Sequence, residues 1–132
     1  MEIVCITVDS KDPASVAHFW NAALGWGGVS VHSDDTGAIC GPATGGSYLE
    51  FVRVPEGKVG KNRVHIGCAA GTLDQLDVEI MRLQRLGASI AWEEEFPSEI
   101  AAVYRNVILR DLEGNEFCLS GGSFPTSDEP TG

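Results

Sequence analysis

The stretch that decides the fold is Lys61-Asn62-Arg63-Val64-His65-Ile66-Gly67-Cys68. Its alternation of polar and apolar residues predicts a β-strand over Arg63–Ala69. Because successive side chains of a strand point to opposite faces, Val64 and Ile66 are predicted to pack against a helix. His65 then points to the other face. An imidazole on the unpacked face indicates a functional role for that side of the sheet.

A helix and three more strands are predicted after this strand. Thr72 and Gln75 form a capping box, apolar residues recur at helical spacing as far as Leu86, and Gly87 ends the helix. The predicted strands are Ser89–Glu93, Ala102–Leu109 and Asn115–Ser120. The second half of the chain is therefore strand, helix, three strands.

The first half of the chain has the same order of elements. A strand is predicted at Ile3–Val8, and the next helix has Asp12 as its N-cap, Pro13 as its first residue and Gly25 at its end. Its remaining strands are predicted at Gly28–His32, Ala38–Cys40 and Ser47–Val54. Two modules, at about 1–56 and 62–120, thus form one α+β domain over 1–120, and 121–132 is predicted to be a flexible tail.

Composition and charge exclude several classes of protein. The chain has 132 residues, 43% of them hydrophobic, which is typical of one globular domain. A net charge of −10 disfavours nucleic acid and anionic membranes as partners. No apolar run is long enough to span a bilayer and no secretory signal is present, so the sequence predicts a cytoplasmic protein with reduced cysteines.

Motifs spread over both halves resemble a known family. They are Asp12-Pro13, Phe19-Trp20, Ala23-Leu24-Gly25-Trp26, Val54-Pro55-Glu56, Lys61-Asn62-Arg63-Val64-His65 and Glu113-Gly114-Asn115-Glu116-Phe117-Cys118. As a set they resemble the glyoxalase-like branch of the vicinal oxygen chelate superfamily, which includes glyoxalase I and the bleomycin-resistance proteins. The resemblance covers residues 1 to about 120.

The resemblance implies paired βαβββ modules that form a partly open eight-stranded barrel around a ligand cavity, and a homodimer. It also implies metal ligands on the first and last strands of each module, which here are Cys5, Glu50, His65 and Cys118. Metal-using members commonly have His or Gln in place of Cys5 and Glu in place of Cys118. Thiolate and imidazole suit one divalent metal, zinc before nickel or iron. The alternative is a cavity that holds no metal, with both cysteines as small apolar residues.

Two further side chains are candidate ligand contacts alongside His65. Arg63 is placed to bind an anionic substrate or to pair with a surface carboxylate, and Trp20 to stack on a ligand or to pack in the core. In an enzyme of the lyase or isomerase type, a metal would chelate vicinal oxygens of the substrate while Glu50 moves a proton. The alternatives are a protein that sequesters a drug or metabolite without chemistry, and an interaction module. Dioxygenase chemistry is disfavoured because His65 is the one imidazole among the four candidate ligands.

Overall fold

The computed structural model describes residues 1–125. Its elements in chain order are β1 (Cys5–Ser10), α1 (Pro13–Leu24), β2 (Gly28–Val31), β3 (Gly37–Gly41), β4 (Tyr48–Arg53), β5 (Gly67–Gly71), α2 (Leu73–Leu86), β6 (Ser89–Glu93), α3 (Ser98–Ala101), β7 (Tyr104–Arg110) and β8 (Glu116–Gly122). By their contacts they divide into two compact units, Met1–Lys61 with Asp111–Asn115, and Asn62–Arg110 with the residues from Glu116 onward.

In the first unit, helix α1 begins and ends where the sequence predicts. The Asp12 carboxylate accepts a hydrogen bond from the backbone N–H of Ser15 at 3.4 Å. Pro13 has no N–H to satisfy, which suits the first helical position. Gly25 ends the helix with φ of 64°, in the left-handed region that glycine enters at little cost. The local signals thus decide both ends of α1.

The first sheet has the strand order β1-β4-β3-β2, and β1 runs parallel to β4. Leu49 and Phe51 of β4 and Ala38 of β3 are buried on the face that packs on α1. Residues between them point to the face without a helix, which we call the open face. In this register Thr7 of β1 lies beside Glu50 of β4.

The second unit repeats this plan with the order β5-β8-β7-β6, and β5 runs parallel to β8. Both bonds of the predicted capping box are formed at the start of α2 by Thr72 and Gln75. Helix and sheet approach closely at Gly121, where an added Cβ would lie 2.6 Å from the Cβ of Leu76. The open face of this sheet is again the side away from the helix.

The prediction of a strand over Arg63–Ala69 is wrong in its first half. β5 begins at Gly67, and Val64, expected on the packed face, is 78% exposed. The chain before β5 is held instead by a side chain, because Glu116 Oε2 accepts the backbone N–H of Asn62 at 3.0 Å. Alternation in the sequence does not distinguish a strand from a segment anchored in this way.

The structure also adds to the predicted second half. The short helix α3 follows β6, and β8 continues to Gly122. Phe124 lies beyond that strand and packs edge-on against Phe96 and Tyr104, with ring centroids 5.9 and 5.1 Å away. Residues 126–132 of the predicted flexible tail lie outside the described residues.

These elements confirm an α+β fold built from paired βαβββ modules. Within residues 1–125 they supply eight strands in two four-stranded sheets. No helix in this part of the chain is long and apolar enough to cross a membrane. The barrel around a ligand cavity stays a prediction from the resemblance.

Candidate functional site

The open face of the first sheet carries a connected polar group. The Thr7 hydroxyl donates a hydrogen bond to Glu50 Oε1 at 3.0 Å, and the Cys5 sulfur lies 3.7 Å from the same hydroxyl oxygen. Tyr48 lies beside Cys5 in the parallel register of β1 and β4. Strand alternation therefore brings a thiol, a hydroxyl, a phenol and a carboxylate onto one accessible surface. We call Cys5, Thr7, Tyr48 and Glu50 the first polar cluster.

The two cysteines of the first unit, Cys5 and Cys40, lie in different electrostatic environments. Interaction with the Cys5 thiol, by hydrogen bonding and then by charge, raises the pKa of Tyr48 above its ordinary value. Cys40 lies on the opposite face of the sheet, fully buried, and this burial raises the pKa of its thiol to about 11. Cys40 is therefore a neutral core residue at pH 7, whereas Cys5 is partly accessible.

The second unit contains the other two predicted metal ligands. Cys118 lies opposite Gly67 in the pairing of β8 with β5, and a Cβ at position 67 would lie 3.2 Å from its sulfur. Ile66 accepts the backbone N–H of Cys118 at 2.9 Å, so His65 lies just before the paired part of the strand. The imidazole is exposed. Glycine at position 67 keeps the Cys118 sulfur close to the backbone of β5.

Glu116 shares the open face of the second sheet with Cys118, but structural contacts engage it. Its side chain is 6% exposed, and one carboxylate oxygen lies 3.9 Å from Nε of Arg110. The other oxygen anchors Asn62. A buried carboxylate needs such partners, because removing one would leave charge uncompensated. Glu116 is therefore a positioning group for the segment that carries His65.

The remaining candidate ligand contacts lie in different environments. Trp20 is 4% exposed, packs edge-on against Phe19, and donates its indole N–H to Asp111 Oδ2 at 3.0 Å. This places the ring in the core of the first unit, as the packing alternative has it. Arg63 lies in the exposed segment before β5. Its binding of an anion stays a prediction.

The predicted metal ligands form a pair in each unit. Cys5 and Glu50 lie on the first sheet, and His65 and Cys118 at the second. Within either unit, the described residues bring together no group of three or more His, Cys, Asp and Glu side chains that would hold a metal ion. Zinc sites in proteins use three or four protein ligands. Neither unit by itself therefore fits a metal ion.

Two polar residues were not singled out from the sequence. Thr7 orients Glu50, and its place on the Cys5 face was a usable signal. Asn106 in β7 is 9% exposed, and its Oδ1 accepts no hydrogen bond from the described residues. For Asn106, the usable signal in the sequence was a polar residue directly before the apolar run Val107-Ile108-Leu109 in a predicted strand.

The family model of the glyoxalase-like domain matches residues 5–120 of this sequence. The chain belongs to the glyoxalase-like family. It is thereby a member of the vicinal oxygen chelate superfamily, which confirms the resemblance that the motifs indicated. No curated protein matches the sequence.

Solved structures with the same fold come from several bacteria. FosX of Listeria monocytogenes, a fosfomycin resistance protein whose structure holds Mn(II) and dihydroxypropylphosphonic acid, has a TM-score of 0.70 at 15% identity, covering 93% of this chain and 90% of that one. A glyoxalase/bleomycin resistance protein/dioxygenase family enzyme of Burkholderia phytofirmans has a TM-score of 0.69 at 12% identity, covering 93% and 100%. Lactoylglutathione lyase of Agrobacterium tumefaciens has a TM-score of 0.62 at 15% identity, covering 94% and 98%. These similarities show the fold.

Proposed function

We propose that this protein binds a small molecule on the open face of its first sheet and that Glu50 is the principal polar anchor. The observation that carries the proposal is the hydrogen bond from Thr7 to Glu50 on an accessible surface. That bond orients the carboxylate without burying it. A net charge of −10 adds an attraction for a cationic guest.

The test is a thermal-shift panel with bleomycin, fosfomycin and lactoylglutathione on the wild-type protein and on Glu50→Gln. Glu50→Gln keeps the shape of the side chain and removes its charge. We expect at least one compound to raise the melting temperature of the wild type. In Glu50→Gln that rise should fall by more than half.

Asp9→Asn is the matched control, because Asp9 is an exposed carboxylate on the same face of β1 outside the polar cluster. It should retain the full rise. An equal loss in both variants would mean that overall charge, and no specific site, attracts the ligand. No shift with any compound would contradict the proposal.

The second candidate function is a metal-dependent lyase or isomerase that acts on vicinal oxygens, with Glu50 as the base. Mn(II) in the structure of FosX favours this class. Cys5, Glu50, His65 and Cys118 would be the ligands, and the metal would polarise substrate oxygens. Elemental analysis of protein purified without chelator tests it, and stoichiometric zinc, nickel or iron is the supporting result.

The variant that examines the thiol ligands is the double change Cys5→Ser and Cys118→Ser. Thiolates are strong zinc ligands, so this variant should lose metal if they hold it. Cys40→Ala is the control, since a fully buried neutral thiol is no ligand. Metal retained by the double variant would exclude Cys5 and Cys118 as ligands.

We also propose that the protein is a cytoplasmic homodimer. All four cysteines are free thiols, which fits a reducing compartment. β1 is an edge strand; Ile6 within it is 42% exposed, and Ile3 just before it is 76% exposed. Exposed apolar edges are where chains pair.

Light scattering should give about twice the 14.0 kDa of one chain. Changing Ile3 and Ile6 together to Lys should give a folded monomer. Val78→Lys on α2, where Val78 is 66% exposed, should leave the assembly unchanged. A monomeric wild type at high micromolar concentration would contradict the dimer.

A further inference from the structure

The chain that links β6 to β7 borders an open cavity of about 490 Å³ within the second unit. A backbone hydrogen bond from the N–H of Glu94 to the oxygen of Asn106, at 3.0 Å, ties the start of this link to β7. Apart from Ala101, every residue that lines the cavity is charged or aromatic: Glu93, Glu94, Glu95, Phe96, Tyr104 and Arg105. A cavity of this size can hold a small organic molecule.

The aromatic rings of the cavity are fixed by packing. The ring centroids of Phe96 and Tyr104 lie 5.5 Å apart, and Phe124 packs edge-on against both. Phe96 and Tyr104 are half-buried, so part of each ring remains accessible beside the cavity. Because neighbouring rings already order these side chains, a bound molecule that contacts them would lose little free energy to side-chain ordering.

The charge of the cavity is negative. Arg105, the cation among the lining residues, donates hydrogen bonds to Glu93 at 2.6 Å and to Asp77 of α2 at 2.8 Å, so two carboxylates offset its charge. Glu94 and Glu95 are exposed, and neither forms an ion pair within residues 1–125. Two uncompensated carboxylates therefore lie beside two accessible aromatic rings.

A metal ion does not suit this cavity, because no three His, Cys, Asp or Glu side chains among residues 1–125 are grouped so as to hold one. Exposed carboxylates alone attract a cation weakly, but an aromatic face adds attraction for a cation within about 6 Å of the ring centroid. We infer that the cavity binds an organic ammonium cation, with the charged group against Phe96 and Tyr104 and near the carboxylates of Glu94 and Glu95. This site is additional to the proposed function, in which Glu50 is the anchor.

The probes for the test are choline and its neutral isostere, 3,3-dimethylbutan-1-ol. The two molecules have the same shape, but only choline carries a positive charge. In an NMR titration of the wild-type protein we expect choline to bind about tenfold more tightly, since the rings and the carboxylates attract only the charged probe. The largest changes in backbone amide shift should fall within 93–96 and 101–105.

The first variant is the double change Glu94→Gln and Glu95→Gln, which removes both uncompensated charges with little change of shape. It should weaken choline binding about fivefold and leave the affinity for the neutral probe unchanged. The matched control is the double change Glu2→Gln and Glu56→Gln, which removes the same charge at exposed residues outside the cavity. The control should bind choline as the wild type does.

The second variant, Phe96→Leu, examines the aromatic contact. In the wild type, the methyl protons of bound choline should shift upfield because they lie over a ring face. Phe96→Leu should reduce that upfield shift and weaken choline binding about threefold. If Phe96→Leu fails to fold, the carboxylate comparison still decides, because no hydrogen bond or ion pair in the described part of the chain involves the Glu94 or Glu95 side chain.

Three outcomes would overturn the inference. They are equal affinities for the two probes, an equal loss of choline binding in the control variant, and choline-induced amide shifts confined to other parts of the chain. Absence of choline binding at tens of millimolar would overturn it as well. None of these results bears on Glu50, and a failed panel of bleomycin, fosfomycin and lactoylglutathione would leave this cavity untouched, so the two proposals fail separately.

Discussion

The two sheets share a strand order but differ in what their open faces expose. On the first, Thr7 is exposed and Glu50 half-buried. On the second, Asn106, Ile108 and Glu116 are all buried. A repeated backbone plan therefore does not repeat the chemistry of its faces. Exposed polar groups can hydrogen-bond to water, whereas buried ones need a partner within the fold.

The largest expected difference between the modules lies on their helix-facing sides. Glu50 lies four residues after Gly46, and Cys118 lies four residues after Gly114. When the two modules are aligned on these glycines, Gly121 of β8 corresponds to Arg53 of β4. A Cβ on Gly121 would lie 2.6 Å from Leu76 Cβ and 2.9 Å from the backbone oxygen of Thr72. Gly121→Ala should therefore lower the free energy of unfolding by about 1–3 kcal/mol, measured by urea titration.

Arg53→Ala is the counterpart in the first module. Arg53 reaches outward to the Asp35 carboxylate at 2.7 Å, donates to the backbone oxygens of Asp35 and Lys11, and is 39% exposed, so its loss should cost about 1 kcal/mol. An Arg53→Ala variant that is the less stable of the two would mean that the modules do not differ in helix-to-sheet distance as described.

The N-terminal caps of α1 and α2 differ in how their contribution to stability depends on pH. Asp12→Ala and Thr72→Ala should each lower the free energy of unfolding by about 0.5–2 kcal/mol at pH 7. Hydrogen bonds from the Ser15 side chain and then its backbone lower the pKa of Asp12 below 3.8. The contribution of Asp12 is thus present above pH 3.8 and is lost as pH falls through its folded value.

The effect of Asp12→Ala should accordingly shrink on acidification below pH 3.8, while that of Thr72→Ala, which does not titrate, stays constant. Thermal unfolding of both variants and wild type from pH 7 to 2.5 measures this. Parallel pH profiles for the two variants would contradict the charged cap on α1.

The smallest expected effect concerns the segment before β5. Val64→Ala should change the free energy of unfolding by less than about 0.5 kcal/mol, because the side chain is 78% exposed. Val107→Ala makes the same chemical change at a residue that is 1% exposed and should cost about 1.5–3 kcal/mol. Similar losses at both positions would mean that Val64 is packed, as the predicted strand over Arg63–Ala69 requires.

The sequence predicts helices here better than the polar contacts between strands. Local signals decide helix ends, so Asp12, Gly25 and the Thr72–Gln75 box place α1 and α2 correctly. The face of Glu50 followed from alternation with Leu49, which the structure shows to be buried. Such patterns fix the face of a residue but not its partner.

Contacts between distant residues could not be read from local patterns. Glu116 anchors Asn62 across 54 positions, and Thr7 reaches Glu50 across 43. Asn106 looks like an ordinary strand residue until the register shows Ser120 beside it. The metal site implied by the resemblance likewise cannot be read from local patterns, because its ligands Cys5 and Cys118 are far apart in the sequence.

The turn between β7 and β8 bears on how this chain can be divided into fragments. Asp111–Asn115 belongs by its contacts to the first unit. Its Asp111 accepts the Trp20 indole N–H, and its Glu113 accepts the Ser10 hydroxyl and, at 2.6 Å, the Lys11 backbone N–H. A gene fragment ending at Lys61 would therefore encode a module without these acceptors. A split-protein design should therefore cut elsewhere than between the modules.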